Sequence, residues 1–294
     1  MIEMDNVSKR YMAKDKRGNK IPVDALKQVS LSLDRHTSYA LVGESGSGKS
    51  TLARMLVGVE RPTSGEIRFD GKNVAAMRPK ELRLKRAEIQ LVLQNAQGAL
   101  DPRRRVYDSI AEPIRCLTDL NRFEERSKVL ELADQVQLSA AQLERLPHEL
   151  SGGQLKRVCI ARAMSVSPKF IVFDESVSGL DVTVRKQILD LILGLKKAGL
   201  GAFLFITHDI DAALYMADNI FVMKEGAIVE HIENAASYAD FRHAYSRLLI
   251  DSLPPKSPVH PIGKEKDDRE ENCYGTSDCR AAADGPGRLL SVRS

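Results

Sequence analysis

A glycine-rich octapeptide near the N-terminus limits the folds that are open to this chain of 294 residues. Residues 43–50 read GESGSGKS, a full match to the pattern G-x-x-x-x-G-K-[ST]. The run Ser38–Val42 before it predicts a short apolar strand, and Lys49–Val57 after it predicts a helix that Gly58 ends. Because strand, glycine loop and helix follow one another in this order, the motif predicts a phosphate-binding loop.

The parts of this phosphate loop have different chemical tasks. Its glycines let the backbone wrap closely around phosphate oxygens, and the helix N-terminus that follows attracts anions. Lys49 can reach the β- and γ-phosphates of a nucleotide, and Ser50 can bind Mg²⁺. The predicted nucleotide contacts of this segment are Gly43, Glu44, Ser45, Gly46, Ser47, Gly48, Lys49, Ser50 and Thr51.

Two carboxylates end an apolar run far downstream. Phe170–Phe173 is typical of a buried strand, and Asp174 and Glu175 follow it directly. In a parallel sheet beside the phosphate loop, Asp174 would hold Mg²⁺ through water and Glu175 would act as general base on the attacking water. Alone, the pair could merely cap the next helix. Together with the phosphate loop, it favours an NTPase.

The composition narrows the class of protein further. The net charge is +4, and the charged residues are scattered along the chain. This distribution does not indicate a nucleic-acid partner. The run Arg103–Arg105 is interpreted as a solvated or partner-facing loop. The polar N-terminus lacks the apolar core of a signal peptide, and no stretch approaches the about 18–20 apolar residues of a spanning helix. We therefore expect a cytoplasmic chain that does not itself cross a bilayer.

The chain has four cysteines. Cys116 and Cys159 lie inside helical patterns and are predicted to be small buried thiols. Cys273 and Cys279 lie in a polar tail without zinc-like spacing. After about Leu253 the sequence becomes proline-rich and then highly charged, which predicts a flexible tail.

Strand and helix patterns alternate along most of the chain. The further predicted strands are Met1–Val7, Val29–Leu33, Glu66–Asp70, Glu88–Leu93, Ala202–Thr207 and Ile220–Met223, with a charged turn at Lys14–Lys20. The further predicted helices are Phe123–Gln137, Leu155–Met164, Val184–Lys197 and Asp211–Met216. The alternation predicts a mainly parallel, three-layer α/β sheet, into which a helical block from about Val106 to Met164 is inserted.

The pentapeptide LSGGQ, residues Leu150–Gln154, points to one group of NTPases. It lies between the two NTPase motifs, shortly before the strand that ends in Asp-Glu. The pentapeptide and its position resemble the signature motif of the ABC ATPases, and the resemblance covers roughly residues 1–250. Four further features match this family: Tyr11 for the adenine-stacking aromatic, Gln94 for the glutamine loop, Ser178–Asp181 for the D-loop and His208 for the switch histidine.

The resemblance implies a fold and an ATP site shared by two subunits. The implied fold is α/β, a P-loop NTPase (RecA-like) core with a mainly parallel sheet, an antiparallel β subdomain and an inserted helical signature subdomain at about residues 95–165. Residues 1–250 would form the ATP-binding domain, and residues 251–294 a flexible C-terminal extension. In this family two subunits meet head to tail, so that each signature motif covers the ATP of the other subunit.

The resemblance also assigns roles to individual residues, with ATP and Mg²⁺ as the ligands. The implied catalytic residues are Lys49, Gln94, Glu175 and His208. The implied Mg²⁺ ligands are Ser50, Gln94 and Asp174. The implied nucleotide contacts outside the phosphate loop are Tyr11, Ser151, Gly152, Gly153, Gln154 and Asp181, of which Ser151, Gly152 and Gly153 would act on the partner subunit's ATP.

Finer details resemble the ATPases of peptide and nickel importers. The segment after Gln94, NAQGALDPRRRVYDSIAEPI, and the segment HAYSRLL at residues 243–249 are similar to that subfamily. The similarity implies a second ABC ATPase in a heterodimer, two transmembrane permease subunits and an extracytoplasmic substrate-binding protein that acts through the complex. The chain would then lie peripherally at the cytoplasmic face of the inner membrane. Peptide, nickel and metal-chelate cargoes all remain open.

The chain departs from the family pattern at two positions. Ser176 replaces the proline that usually follows the catalytic glutamate, and Asn95 replaces a common aspartate. Neither change removes a catalytic group, so activity is expected. The alternative function is a non-transport ABC ATPase that acts on nucleic acid or ribosomes. A regulatory subunit that only binds ATP is disfavoured, because every catalytic position is filled.

Overall fold

The computed structural model describes residues 1–15, 17–199 and 201–253. Its strands are β1 (Ile2–Lys14), β2 (Lys20–Leu33), β3 (Ser38–Val42), β4 (Ser64–Phe69), β5 (Lys72–Asn73), β6 (Ile89–Val92), β7 (Phe170–Asp174), β8 (Ala202–Thr207), β9 (Asn219–Lys224) and β10 (Ala227–Ile232). Its α-helices are α1 (Lys49–Leu56), α2 (Pro79–Glu88), α3 (Ala96–Ala99), α4 (Val106–Leu117), α5 (Arg122–Gln135), α6 (Ala140–Leu143), α7 (Gly152–Met164), α8 (Val182–Lys197), α9 (Ile210–Met216) and α10 (Ala244–Asp251). Short 3₁₀ turns lie at Val74–Ala76, Pro147–Glu149 and Tyr238–Asp240.

A six-stranded sheet occupies the centre of the fold, in the order β10-β9-β3-β8-β7-β6. Every residue of β3, β7 and β8 is buried, as expected of strands that are covered on both faces. The pairs along the sheet are parallel except for β9 with β10. Ile171 and Phe173 pack against α4, α7 and α8, whereas Phe170 and Val172 pack towards α1 and the second sheet. The predicted three-layer α/β fold with a mainly parallel sheet is confirmed.

The sheet topology brings the predicted catalytic segments to one edge. Val42, the last residue of β3, pairs with Thr207 at the end of β8. Asp174, the last residue of β7, pairs with Ile206 of the same neighbouring strand. Because parallel strands end at the same edge, the residues that follow β3, β7 and β8 must lie close together there. The phosphate loop, Glu175 and His208 are those residues.

The second sheet is antiparallel, in the order β2-β1-β4-β5. The predicted strands Met1–Val7 and Val29–Leu33 are parts of the much longer β1 and β2, so the predicted early end of the first strand is wrong. Tyr11 therefore lies within β1, opposite Val23, and not after a short strand. Register shifts between residues 4 and 10 break the period-two alternation that a sequence pattern needs, because each bulge moves the following side chains to the other face.

The helices α3 to α7 lie in sequence between the sheet strands β6 and β7. Their apolar faces form one core, in which Val106 and Ile110 of α4, Val129 of α5 and Val158 of α7 are completely buried. Cys159 of α7 is buried as predicted, but Cys116 of α4 is exposed, so the prediction for that thiol is wrong.

Helices α2 and α10 and strand β10 were not predicted from the sequence. None of the residues of α2 is buried, so its sequence carries no apolar stripe. Helix α10 begins inside the segment HAYSRLL. Cys273, Cys279 and the predicted flexible tail lie outside the described residues. In the part of the chain that the structure describes, no helix combines the length and the apolar character needed to cross a membrane.

Candidate active site

The phosphate loop is held in place by close contacts with two neighbouring strands. Gly46 and Gly48 have φ values of +83° and +107°, which favour glycine over residues with a side chain. At Gly48, a Cβ atom would collide with the carbonyl oxygen of Ala25 in β2. At Gly43, it would collide with the carbonyl oxygen of Met223 in β9. Gly48 and Gly43 therefore allow β2 and β9, respectively, to pack directly on the loop.

The side chain of Lys49 lies inside the phosphate loop and binds its main chain. Its Nζ donates to the carbonyl oxygens of Gly43 at 2.8 Å and Glu44 at 2.7 Å, and its side chain is 4% exposed. The ammonium lies 3.8 Å from Oε1 of Glu175. Burial lowers the pKa of Lys49, and the negative charges of Glu175 and Asp174 oppose that shift. A partly desolvated cation of this kind gains strongly from an anionic phosphate.

Ser50 and Asp174 form the second polar pair of the site. Ser50 Oγ donates to Oδ1 of Asp174 at 3.2 Å, and Asp174 is 6% exposed. Burial raises the pKa of Asp174, while the hydrogen bond from Ser50 opposes the shift. A half-buried hydroxyl and a buried carboxylate are hard oxygen ligands of the kind that Mg²⁺ prefers, and a bound cation would offset the desolvation of the carboxylate. The chemistry of these donors fits Mg²⁺.

Glu175 lies directly after β7, with a φ of +43° that is uncommon for a residue with a side chain. Its amide donates to the carbonyl oxygen of Ile206 at 3.0 Å, which fixes the turn. The side-chain nitrogen Nε2 of Gln94 donates to Oε2 of Glu175 at 2.9 Å. Nδ1 of His208 lies 3.9 Å from Oε1, and the His208 side chain is 58% exposed. The carboxylate therefore faces Gln94 on one side and His208 on the other.

A cavity of about 310 Å³ joins the two halves of the site. Its lining includes Gly46, Lys49 and Ser50 of the phosphate loop together with Gln94 and Glu175. The structure thus brings together residues from the ends of β3, β6 and β7 that lie far apart in the sequence. The cavity is partly open to solvent, so a phosphate chain can enter it.

Tyr11 is not among the residues that line this cavity. Its hydroxyl donates to the carboxylate of Glu60, and the ammonium of Lys9 lies 5.1 Å from the centre of its ring. Its predicted stacking on adenine stays a prediction.

The signature motif forms the start of α7. Ser151 is the N-cap residue: its Oγ accepts from the amide of Gln154, and Oε1 of Gln154 accepts from the amide of Ser151 at 2.9 Å. Ser151 and Gly152 are exposed. A Cβ at Gly153 would lie 2.6 Å from Cγ1 of Val184, so this glycine allows α7 to pack on α8. The motif is a solvent-facing helix N-terminus, where amides and the helix dipole favour an anion.

The structure adds helix-capping tasks to two predicted nucleotide contacts. The side chain of Gln154 closes the capping box at the start of α7. Asp181 is the N-cap of α8, where its Oδ1 accepts from the amide of Val184 at 3.0 Å. Neither residue lines the cavity beside the phosphate loop.

Two further residues contact the site but were not found by sequence reasoning. Lys156 of α7 donates to the carbonyl oxygen of Gln94 and is 5% exposed. The hydroxyl of Tyr245 in α10 accepts from the amide of Glu44 at 3.4 Å. Lys156 follows the LSGGQ motif by two positions and Tyr245 lies within HAYSRLL, but a sequence pattern does not show which main-chain atoms a side chain will reach.

The fold and the site together define a class of protein. A phosphate loop after one parallel strand, a Ser–Asp pair suited to Mg²⁺ and a glutamate beside them are the parts of a P-loop NTPase. A family model described as ABC transporter matches residues 26–178. The chain belongs to the ABC transporter family.

Curated relatives match most of the chain. It is 41% identical over 262 residues to the nickel import ATP-binding protein NikE of Brucella suis, which covers 89% of this chain and 98% of the relative. It is 38% identical over 249 residues to the dipeptide transport ATP-binding protein DppF of Escherichia coli, which covers 85% of this chain and 72% of that relative. The similarity therefore extends well beyond the segment that the family model matches.

Solved structures match the fold. A dimeric post-hydrolysis state of an ATP-binding cassette with bound ADP and Pi superposes with a TM-score of 0.72 at 27% sequence identity. The match covers 81% of this chain and the whole of that chain.

Ser176 provides a test of packing next to the candidate base. It is 1% exposed, and its hydroxyl is without a hydrogen-bond partner in the described part of the chain. We expect Ser176→Ala to raise the free energy of unfolding by about 1 kcal/mol, because the unsatisfied hydroxyl is removed. ATP turnover should stay within about twofold. Denaturant unfolding of the purified chain measures the first quantity.

Ser165→Ala is the matched control, because Ser165 is similarly buried but donates to the carbonyl oxygen of Arg162 at 2.7 Å. That variant should lose about 1 kcal/mol. A loss of similar size in both variants would contradict the account of Ser176.

Proposed function

We propose that the chain is the ATP-hydrolysing, nucleotide-binding subunit of an ABC importer and couples ATP binding and hydrolysis to the uptake of a peptide, nickel or a metal chelate. The single observation that carries the ATPase assignment is the cavity at which Lys49, Ser50, Gln94 and Glu175 meet. The choice of importer and cargo rests on the names of the relatives, which are nickel, dipeptide and oligopeptide transport ATP-binding proteins.

In this proposal the phosphate loop binds the triphosphate. Its backbone amides and the start of α1 face the phosphate oxygens, and Lys49 contacts the β- and γ-phosphates. Lys49 already lies between the loop carbonyls and Glu175, so its charge needs little rearrangement. The other loop residues surround the phosphates.

Ser50 and Asp174 would hold Mg²⁺, with Gln94 as a third oxygen ligand near them. The ion, when bound, neutralises charge on the β- and γ-phosphates. Glu175 accepts the proton of the attacking water, and Gln94 and His208 hold that water and the carboxylate in line. The contacts of Glu175 with Gln94 at 2.9 Å and His208 at 3.9 Å support these roles.

A second ABC ATPase subunit would complete the site. The start of α7 presents Ser151 and Gly152 to solvent. Such a helix N-terminus suits the γ-phosphate of a nucleotide that is bound to another subunit. We propose a heterodimer in which Ser151, Gly152 and Gly153 act on the partner subunit's ATP. Loss of the γ-phosphate would remove the shared ligand and release the two subunits.

The permease would bind at a groove beside Gln94. A cavity of about 430 Å³ lies between β6 and α4, and most of its surface is apolar. Its lining includes Val59, Leu93, Pro113 and Leu117. Exposed apolar side chains in a concave surface favour a helical partner segment. Two transmembrane permease subunits would hold the chain at the cytoplasmic face of the inner membrane, and the extracytoplasmic binding protein would act through them.

The alternative, an ABC ATPase that acts on nucleic acid or ribosomes, has no support among the relatives, whose names describe transport. The charge distribution agrees with this choice. Each arginine of Arg103–Arg105 forms an ion pair, with Asp101, Glu112 and Glu144 respectively, so acidic side chains lie among these cations.

The catalytic assignment predicts different results for two substitutions. Glu175→Gln should bind Mg-ATP within about threefold of the wild type but lower turnover by about 10²- to 10⁴-fold, the contribution of a general base. Lys49→Ala should weaken ATP binding itself. Phosphate release and nucleotide-binding titrations measure the two effects. Wild-type turnover in Glu175→Gln would refute its role as base, and Glu131→Gln on the exposed surface of α5 is the control.

The groove predicts a partner that can be recovered. Val59 lines it and is 60% exposed, so Val59→Glu should abolish co-purification with the membrane subunits and leave ATP binding unchanged. Leu130→Glu is the control, because Leu130 is 43% exposed on α5 and lies outside the groove. Recovery of ribosomes with the wild-type chain, and no membrane protein, would favour the alternative function.

A further inference from the structure

We propose that Lys156 is a positioning residue: it connects the signature helix to residues 94–99, the glutamine loop, so that a contact at the helix tip alters the position of Gln94 in the chain's own catalytic site. The inference rests on the proposed function, because it concerns how the two ends of that ATP site communicate.

Lys156 is a buried cation whose partners are main-chain carbonyls. Its side chain is 5% exposed, and Nζ donates to the carbonyl oxygen of Gln94 and, at 3.4 Å, to that of Leu93. Among the described residues its ammonium has no carboxylate within ion-pair distance. Burial lowers the pKa of Lys156. Burying a cation costs free energy unless its hydrogen bonds are strong, so an apolar residue of similar length would pack at a lower cost.

The same face of α7 carries two more donors to the same loop. Cys159 Sγ lies 3.9 Å from the carbonyl oxygen of Ala96, and Nη1 of Arg162 donates to that of Ala99 at 2.7 Å. Lys156, Cys159 and Arg162 are three residues apart, so they lie on successive turns of one helix face. The glutamine loop is therefore attached along its length to α7.

On the side away from α7, the glutamine loop contacts Glu175, the candidate base. The Gln94 side chain donates to Glu175 at 2.9 Å and to Ser178 at 3.3 Å. Ser151, at the tip of α7, precedes Lys156 by little more than one helical turn. A phosphate at the tip of α7 that shifts the helix would therefore move the main-chain carbonyl of Gln94 through Lys156. The side-chain amide of Gln94, which donates to Glu175, would move with it.

A purely structural role for Lys156 would have different consequences. It would stabilise the helical block without affecting how Gln94 acts on Glu175. Only a positioning role makes the effect of Lys156 on turnover depend on Gln94.

The test is a double-mutant cycle on ATP turnover in the full chain with its partner subunits. Lys156→Met should lower kcat by about 10- to 100-fold with KM within about threefold, because a misplaced catalytic group costs about that much. If Lys156 acts through Gln94, then Lys156→Met should add less than about twofold in a Gln94→Ala background. Lys156→Arg should recover most of the activity, since it retains the donors.

Arg157→Met is the matched control. Arg157 is the next residue of α7 and also donates to a main-chain carbonyl, but that of Val136 at 2.8 Å, away from the glutamine loop. It should change kcat by less than about twofold. Full kcat in Lys156→Met, or an undiminished effect of Lys156→Met in the Gln94→Ala background, would overturn the proposal. Should Lys156→Met fail to fold, Lys156→Gln enters the same cycle, where undiminished loss in the Gln94→Ala background is again the contrary result.

Hydrogen exchange separates a failure of this inference from a failure of the proposed function. In the full wild-type chain without its partner subunit, where ATP reaches only the chain's own site, Mg-ATP should change amide exchange in residues 94–99 and 151–155 together, and in Lys156→Met only in residues 94–99. If the wild type lacks ATP turnover but keeps this linked response, the proposed function fails and the connection stands. Unlinked responses in the wild type would overturn the connection whatever the turnover.

Discussion

The buried ammonium of Lys49 is the interaction on which the rest of the site depends. It lies between two carbonyl oxygens of its own loop and the carboxylate of Glu175, directly after β7, so it attaches the phosphate loop to the second half of the site. The loop carbonyls carry no net charge, so the carboxylate of Glu175 is the group that balances the charge of the ammonium. The strands β3 and β7 have β8 between them, and the shared edge of the parallel sheet brings their carboxyl ends within reach.

The second feature of the molecule is that Gln94, a predicted catalytic residue, is held from two directions. Gln94 contacts Glu175 through its side chain, and its main chain is held by α7. The base is therefore surrounded by groups from the sheet, from the loop after β6 and, through Lys156, from the inserted helices.

The sequence predicted the central fold well, and the structure brings several of the predicted site residues to one edge of the sheet, because the strands and motifs depend on local patterns. Strands such as Phe170–Asp174 are continuous apolar runs, and GESGSGKS and LSGGQ have fixed spacings. The long strands β1 and β2 were underestimated, since their bulges interrupt the alternation. The contacts of Lys156 and Tyr245 could not be predicted, because they join side chains to main-chain atoms about 60 to 200 residues away.

The position of α10 has a consequence for the extent of the folding unit. Glu230 of β10 accepts from the amide of His243 and from the hydroxyl of Ser246, which docks the helix on the sheet, and Tyr245 then reaches the amide of Glu44. The folding unit that supports the phosphate loop therefore includes α10, which ends at Asp251. A chain that stopped after β10 would retain every predicted catalytic residue yet lose the contact between Tyr245 and the phosphate-loop amide of Glu44.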